Sequence, residues 1–324
     1  WRVAWREGLG QRDGRIPGYG RLFSLWPVRT GLVVDAGVVY AAAGLYPSQG
    51  VHAAALRVAD GTTVWRQTLN VSPQGDLLAS QTMLFVPTGR GNPVGLDRKT
   101  GRLAKSFGGA GGAFAVLVGD ELFSGTGNDG TLTANPVASP GRLATFKGNA
   151  MAASPRHSFL LDENGVRAID RLAYRRAGAE AKRAAQRIES LKAELKKSGL
   201  SPGQRAGLQS KLGQLGETLD AAKRAGTATE QWAIRAPGRR TIIALANCVV
   251  LGGDGLVEAR ALTDGAVRWS ARVDGTARGL AFAAGRLLVS TDTGALHCFT
   301  TAAVVKTVVK KTEPARLPVA KAQP

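Results

Sequence analysis

The chain has 324 residues, 44% hydrophobic and 21% charged, and 43 Lys+Arg against 24 Asp+Glu give a formal net charge of +19. The apolar content supports a large core and excludes a disordered chain, while the lack of any apolar run of about 18 residues excludes a transmembrane helix. The two cysteines, Cys248 and Cys298, form no CxxC spacing, which excludes zinc-ribbon, haem-c and thioredoxin-like sites.

Trp1–Glu7 alternates and reads as the outer strand of a blade whose other strands lie elsewhere. The chain starts at Trp1 rather than Met, as expected of a processed mature protein or of a piece of a longer one. Residues 8–25 are Gly- and Arg-rich and read as loop. Leu32–Val34, Val38–Tyr40, Val51–Leu56 and Val64–Leu69 then make four strands. Between the last two stands Asp60-Gly61, with Trp65 four residues after the glycine. The same Asp-Gly and Trp spacing returns at Asp264-Gly265 and Trp269, and Gly61, Gly101 and Gly141 stand forty residues apart. A period of about 40 residues in a strand pattern marks the blade of a β-propeller, with Asp-Gly or Thr-Gly supplying the turn. The second repeat runs from Ser72 to Phe107, the third from Gly111 to Phe146, and the fourth opens at Met151.

The fourth repeat is interrupted where the apolar period changes from 2 to 3.5. Tyr174, Ala177, Ala181, Ala184, Ile188, Leu191 and Leu195 form one heptad seam, and Leu208, Leu212, Leu215, Leu219 and Ala222 form another. Gly199, Ser201 and Pro202 between them are a helix stop, N-cap and restart. Residues 171–226 therefore read as an inserted antiparallel coiled-coil hairpin, each helix of about 25 residues reaching ~37 Å. The repeat resumes at Glu230–Ile234 with Trp232 in the place of Trp65. A fifth runs from Thr241 to Asp274, and a last one from Gly279 lacks an outer strand. Residues 301–324 are a basic Lys/Pro/Ala tail expected to be flexible. The fold class is thus all-β, a propeller over residues 1–300. Six four-stranded blades are visible and six to eight are expected, with the N-terminal strand completing the last blade.

The segments GVRAIDR at 165–171 and PVGLDRKTG at 93–101, together with the two DGxxxW copies, resemble the PQQ-binding-like β-propeller repeat family, in its bacterial, planctomycete-like members. The resemblance covers most of residues 24–300. One branch of that family is the quinone-dependent dehydrogenases, which hold PQQ with calcium, an adjacent-cysteine disulfide and an aspartate base. This chain has no adjacent cysteines and no matching acidic cluster, so neither PQQ nor calcium is assigned and no catalytic residue is named. The other branch is non-enzymatic and includes the lipoprotein of the outer-membrane β-barrel assembly machine, which binds proteins. The departures favour that branch and imply a periplasmic or cell-envelope scaffold; a quinone oxidoreductase or a channel-ligand sensor is the alternative.

Candidate sites follow from charge. Arg29, Gln74, Arg239, Arg240 and Arg278 enter the innermost strands and would hold a carboxylate or phosphate if they converged on the channel. The insert carries thirteen Lys/Arg and five Asp/Glu. Its Arg175, Arg176, Lys182, Arg183, Arg187, Lys192, Lys196 and Lys197, with Lys310 and Lys311 in the tail, are the expected contacts to an acidic protein subunit or another anionic surface. Nucleic acid is not favoured, because the interleaved aromatic platforms are missing. Gly125–Gly130 matches GxGxxG, but the strand-like TLTANP that follows makes it a hairpin turn. His52, His157 and His297 fall in three repeats, which argues against a metal or triad site. Both cysteines are expected to be buried free thiols.

Overall fold

Turn glycines and alternating apolar residues set the architecture of the computed structural model, which describes residues 3–10, 14–18, 20–109, 111–126 and 130–300. It begins with a hairpin, β1 (Arg15–Gly18) and β2 (Arg21–Ser24), in the stretch expected to be loop. Ile16 stands opposite Phe23 there, and Gly20 takes the positive φ that closes the turn. β3 (Thr30–Gly31) follows. The first four-stranded antiparallel sheet is β4 (Val33–Asp35), β5 (Val38–Ala43), β6 (Val51–Arg57) and β7 (Thr63–Leu69). β8 (Gly75–Asp76) pairs in parallel with β3. The second sheet is β9 (Leu78–Ala79), β10 (Met83–Val86), β11 (Val94–Asp97) and β12 (Leu103–Ser106). The third is β13 (Phe114–Val118), β14 (Glu121–Gly125), β15 (Thr131–Pro136) and β16 (Ala144–Lys147). The fourth is β17 (Ala150–Ala153), β18 (His157–Leu161), β19 (Gly165–Asp170) and β20 (Glu230–Arg235). Between β19 and β20 stand the only two α-helices among the described residues, α1 (Arg171–Leu195) and α2 (Pro202–Thr227).

The last sheet departs from the expectation of two separate blades. β21 (Arg239–Ala244), β22 (Cys248–Ala261), β23 (Val267–Ala283), β24 (Arg286–Thr291) and β25 (Leu296–Thr300) form one five-stranded sheet. β23 pairs with β22 through its first half and with β24 through its second. No loop breaks the chain between these halves. Gly275, at φ +80°, leaves strand geometry at one residue and so lets the chain turn from one pairing to the next.

Successive sheets stack face to face. Tyr40, Val51 and Trp65 of the first meet Leu84 and Leu96 of the second, and Phe85 and Phe107 of the second meet Leu122 and Val137 at the third. Phe123 and Phe146 of the third meet Met151 and Leu160 of the fourth, while Phe159 and Trp232 of the fourth meet Ile242 and Leu251 of the fifth. Each fully buried Phe or Leu contributes about 1.5–3 kcal/mol. Middle strands touch a neighbour on both faces, so β5 and most of β6 are buried on both sides, with Ala41–Ala43 and Ala53–Ala55 apolar and His52 the buried polar exception.

Two of the repeated tryptophans, Trp65 and Trp232, fasten one sheet to the next, whereas Trp269 is partly exposed and packs edge-on against Phe299 within the fifth sheet. Trp65 stands opposite Ala55 and Trp232 opposite Ala168. The Trp65 indole N–H donates to Arg98 O (3.0 Å) and that of Trp232 to Leu262 O (2.8 Å), each carbonyl lying in the turn of the following sheet. The ring covers the turn glycine, Gly101 or Gly265, so tightly that an added Cβ would collide with it. These glycines are needed twice, for φ near +70° and for the ring's approach.

Trp5 makes the same contact on the first sheet: its N–H donates to Val58 O (2.8 Å) and its ring covers Gly61. Residues 3–9 nevertheless form no strand. Leu9 is buried against Val39, Ala41 and Leu56, and Glu7 pairs with Arg66 (2.7 Å). The N-terminal segment therefore covers the outer face of the first sheet instead of completing the last one, because that apolar face offers burial that the β25 edge does not. Among the described residues β25 pairs only with β24. Cys298, on this edge strand, is exposed and Cys248 is half-buried, so neither is the fully buried thiol expected; both are free.

Candidate functional site

The arm formed by α1 and α2 is fixed at its root by residues that heptad spacing does not reveal. β19 ends at Asp170, whose Oδ1 accepts from the Ala173 N–H (3.0 Å) and caps α1. Its Oδ2 accepts from Arg156 Nε (2.8 Å). The Ala173 N–H holds the Asp170 carboxyl below its ordinary pKa; burial opposes this and Arg156 reinforces it.

Arg171, the first residue of α1, is 3% exposed. Its Nη1 donates to His157 O (2.8 Å) and Ser158 Oγ (3.3 Å), and its Nη2 to Ser154 O (3.0 Å) and Pro155 O (2.8 Å). The guanidinium also lies over the Phe123 ring, 5.8 Å from its centroid. Desolvation by burial lowers its pKa, and the Asp170 charge counters that.

Although the insert belongs to the fourth sheet, it is clamped to the third. Glu121 on β14 pairs with Arg175 and approaches Arg171 Nε at 3.9 Å. Tyr174 donates to Thr145 O (2.9 Å) and stacks on Phe146 at 4.9 Å. Where the chain re-enters the sheet, the Asp170 N–H donates to Thr229 O (2.9 Å). At the far end, Ser201 and Gln204 form a reciprocal capping box and Pro202 opens α2. Along the seam Ala177, Ala184, Ile188 and Leu191 of α1 are buried. On α2 only Ala222 is buried, and Leu208, Leu212, Leu215 and Leu219 are half-buried.

The charged residues of the arm separate into two groups. Arg175 is half-buried in its pair with Glu121, and Lys192 pairs with Glu189 (2.9 Å), so both are engaged within the chain. Arg176, Lys182, Arg183, Arg187, Lys196 and Lys197 are exposed. Lys310 and Lys311 lie outside the described residues.

Each of the four arginines among the five channel candidates has a side-chain partner. Arg29 Nη2 donates to Gln74 Oε1 (2.9 Å), so these two are brought together. Arg239 pairs with Glu258 (2.9 Å), Arg240 with Asp254 (3.7 Å) and Arg278 with Asp292 (3.5 Å). Each of these three carboxylates comes from the same or a neighbouring strand or turn of the fifth sheet, contacts that only strand pairing reveals.

His52 is buried beside Thr68, and desolvation by burial, then Arg66, lowers its pKa. His157 lies by Phe159, and His297 stacks on Phe299 and accepts from the Asp274 N–H (3.3 Å). Among the described residues no three His, Cys, Asp or Glu side chains are grouped to hold a metal. With Cys248 and Cys298 on separate strands, the residues present do not fit the donor set of the quinone–calcium branch. Gly125 ends β14 and Thr131 begins β15, while residues 127–129 of the GxGxxG stretch lie outside the described residues.

Residues 1–134 match the PQQ_2 family model, described as outer membrane protein assembly factor BamB. The match ends before the helical arm. No curated protein matches the chain. Among solved structures, the computationally designed Ika8 protein aligns at a TM-score of 0.56 and 12% identity, over 84% of this chain and 70% of that one. BamB from Moraxella catarrhalis aligns at a TM-score of 0.48 and 12% identity, over 84% of each chain. No helix among the described residues is long and apolar enough to cross a membrane.

Proposed function

We propose that this chain is a non-catalytic β-propeller scaffold that docks other protein subunits of a larger assembly through its helical arm and basic surface. The observation that carries the reading is the contrast between the arm's root and its flanks. Arg171, Tyr174 and the Glu121–Arg175 pair tie the root to two sheets. Beyond them, Arg176, Lys182, Arg183, Arg187, Lys196 and Lys197 face solvent. An arm held in one orientation gives up less conformational freedom when a partner binds, and its charge selects an acidic surface.

The match of residues 1–134 to an outer membrane protein assembly factor supports an interaction role and a place in the cell envelope. The face-to-face stacking of sheets along a repeated strand–turn–strand unit supports a propeller. The test replaces residues 171–229 by a short turn joining β19 to β20, since Ile169 already pairs with Glu230. The sheets are expected to keep their strand signal in circular dichroism while the native complex is lost. A native complex that survives the deletion overturns the reading. Added PQQ and calcium are expected to give no stoichiometric binding and no dye-linked alcohol oxidation; oxidation would instead establish an oxidoreductase, and binding without oxidation a ligand sensor.

A further inference from the structure

We infer that the trough between the root of the arm and the edge of the third sheet is a docking groove for an extended acidic peptide segment of a partner, with apolar residues between its carboxylates. This rests on the scaffold reading above and assigns the docking to one place on it.

Two cavities adjoin here. One, of about 640 Å³, lies between β16, the return of the insert into the fourth sheet, and the facing roots of α1 and α2. The other, of about 470 Å³, continues along the 105–109 and 135–142 segments. Arg142 and Lys182 line both cavities and so mark their junction.

The first cavity has an apolar floor that includes Leu143, Ile169 and Ala181, and four cations around it: Arg142, Arg167, Lys182 and Lys223. Glu230 is its one lining carboxylate, and it is 3.9 Å from Arg167. Lys223 approaches Asp220 at 3.8 Å. Arg142 and Lys182 are both exposed, and no carboxylate among the described residues pairs with either. No carboxylate lines the second cavity. Its Lys105 is spent on structure, donating to Pro136 O (2.6 Å), Val137 O (3.0 Å) and Ser139 O (2.5 Å), which fixes that wall.

Charge and shape together select the occupant. A free anion would satisfy Arg142 and Lys182 but leave the apolar floor wet. A nucleic acid strand would look for aromatic platforms, and both rings here are taken: Tyr174 is stacked on Phe146 with its hydroxyl bonded to Thr145, and Phe107 is buried against Phe85. A peptide with carboxylates at alternate positions places acids on Arg142 and Lys182 and sinks the side chains between them into the floor. Both walls are tied together by Tyr174 and by the Glu121–Arg175 pair, so the groove is formed before binding.

The test is fluorescence anisotropy on the full chain, with a labelled peptide of about 12 residues that alternates Glu/Asp with Leu/Val. The double variant Arg142→Ser/Lys182→Ser is expected to weaken binding about tenfold or more, and a control of equal charge change at exposed positions of the fifth sheet, Arg272→Ser/Arg286→Ser, less than about twofold. Equal losses in the two variants would mean diffuse attraction and overturn the groove, as would the absence of binding. A poly-Glu peptide or inorganic phosphate competing as well as the alternating peptide also overturns it, because the floor would then be unused. In the native complex the two proposals separate. If the arm deletion releases the partner but Arg142→Ser/Lys182→Ser does not, the groove fails and the scaffold reading stands. If the deletion releases nothing, the scaffold reading fails.

Discussion

Replacing Arg171 by Met tests whether the arm is held by hydrogen bonding at its root or only by its apolar seam. Methionine reproduces the apolar stem only as far as the Nε position, and it removes the donors to Ser154 O, Pro155 O and His157 O and to Ser158 Oγ. His157 O keeps its bond from the Ser154 N–H, whereas each of the others left without a donor away from water costs about 1–3 kcal/mol. Removing a guanidinium that is 3% exposed also relieves a desolvation penalty, which offsets part of that cost. The net loss is about 3–5 kcal/mol, in the range for breaking a buried charged network. At about 1.4 kcal/mol per decade, the amides of the first half of α1 should exchange hydrogen more than about a hundredfold faster. Arg183→Met, on the exposed flank of the same helix, is the control and should leave exchange unchanged. Unchanged protection of residues 175–188 in Arg171→Met would refute the argument and leave the seam as the arm's only anchor.

Gly101→Ala forces a side chain into a φ of +71° and into the Trp65 ring, and should destabilise the chain by about 1–3 kcal/mol in denaturant titration. Gly213→Ala has the opposite sign: the position is in α2 with nothing within 4 Å of an added Cβ, so helix propensity should raise arm stability by about 1 kcal/mol, read as slower exchange in α2. Asp170→Asn tests the cap through pH. The folded-state carboxyl titrates below its ordinary 3.8, so its contribution is full above about pH 5 and is lost as pH falls through the folded value. Wild type should therefore be more stable than Asp170→Asn at pH 7, with the difference closing in strong acid. A difference that does not change with pH removes the carboxylate from the account.

Strand order within each repeat was legible because a strand and its tight turn are local. Alternation marks the buried face, and Asp60-Gly61, Asp264-Gly265 and Thr100-Gly101 supply the positive φ that any L side chain resists. What those residues do between sheets was not legible. The Trp65 indole reaches Arg98, and the Trp232 indole reaches Leu262, some thirty residues on, and spacing within one repeat carries no trace of the receiving carbonyl. The candidate site divides in the same way. A count of Lys and Arg marked residues 171–226 as basic, but charge alone did not separate Arg175, consumed by Glu121, from Arg176, left in solvent.

The sequence by itself determined the strands and turns of the repeats and the place where two helices interrupt them, since each depends on neighbours within a few residues, but it did not show the β1–β2 hairpin or the strandless course of residues 3–9. Only the tertiary structure decided that the N-terminal segment covers the first sheet, that β23 carries two pairings without a break, and that an insert in the fourth sheet is clamped to the third. Those outcomes depend on which apolar face or unpaired carbonyl lies within reach once the sheets have stacked, and partners brought together across dozens of residues leave no periodic mark along the chain.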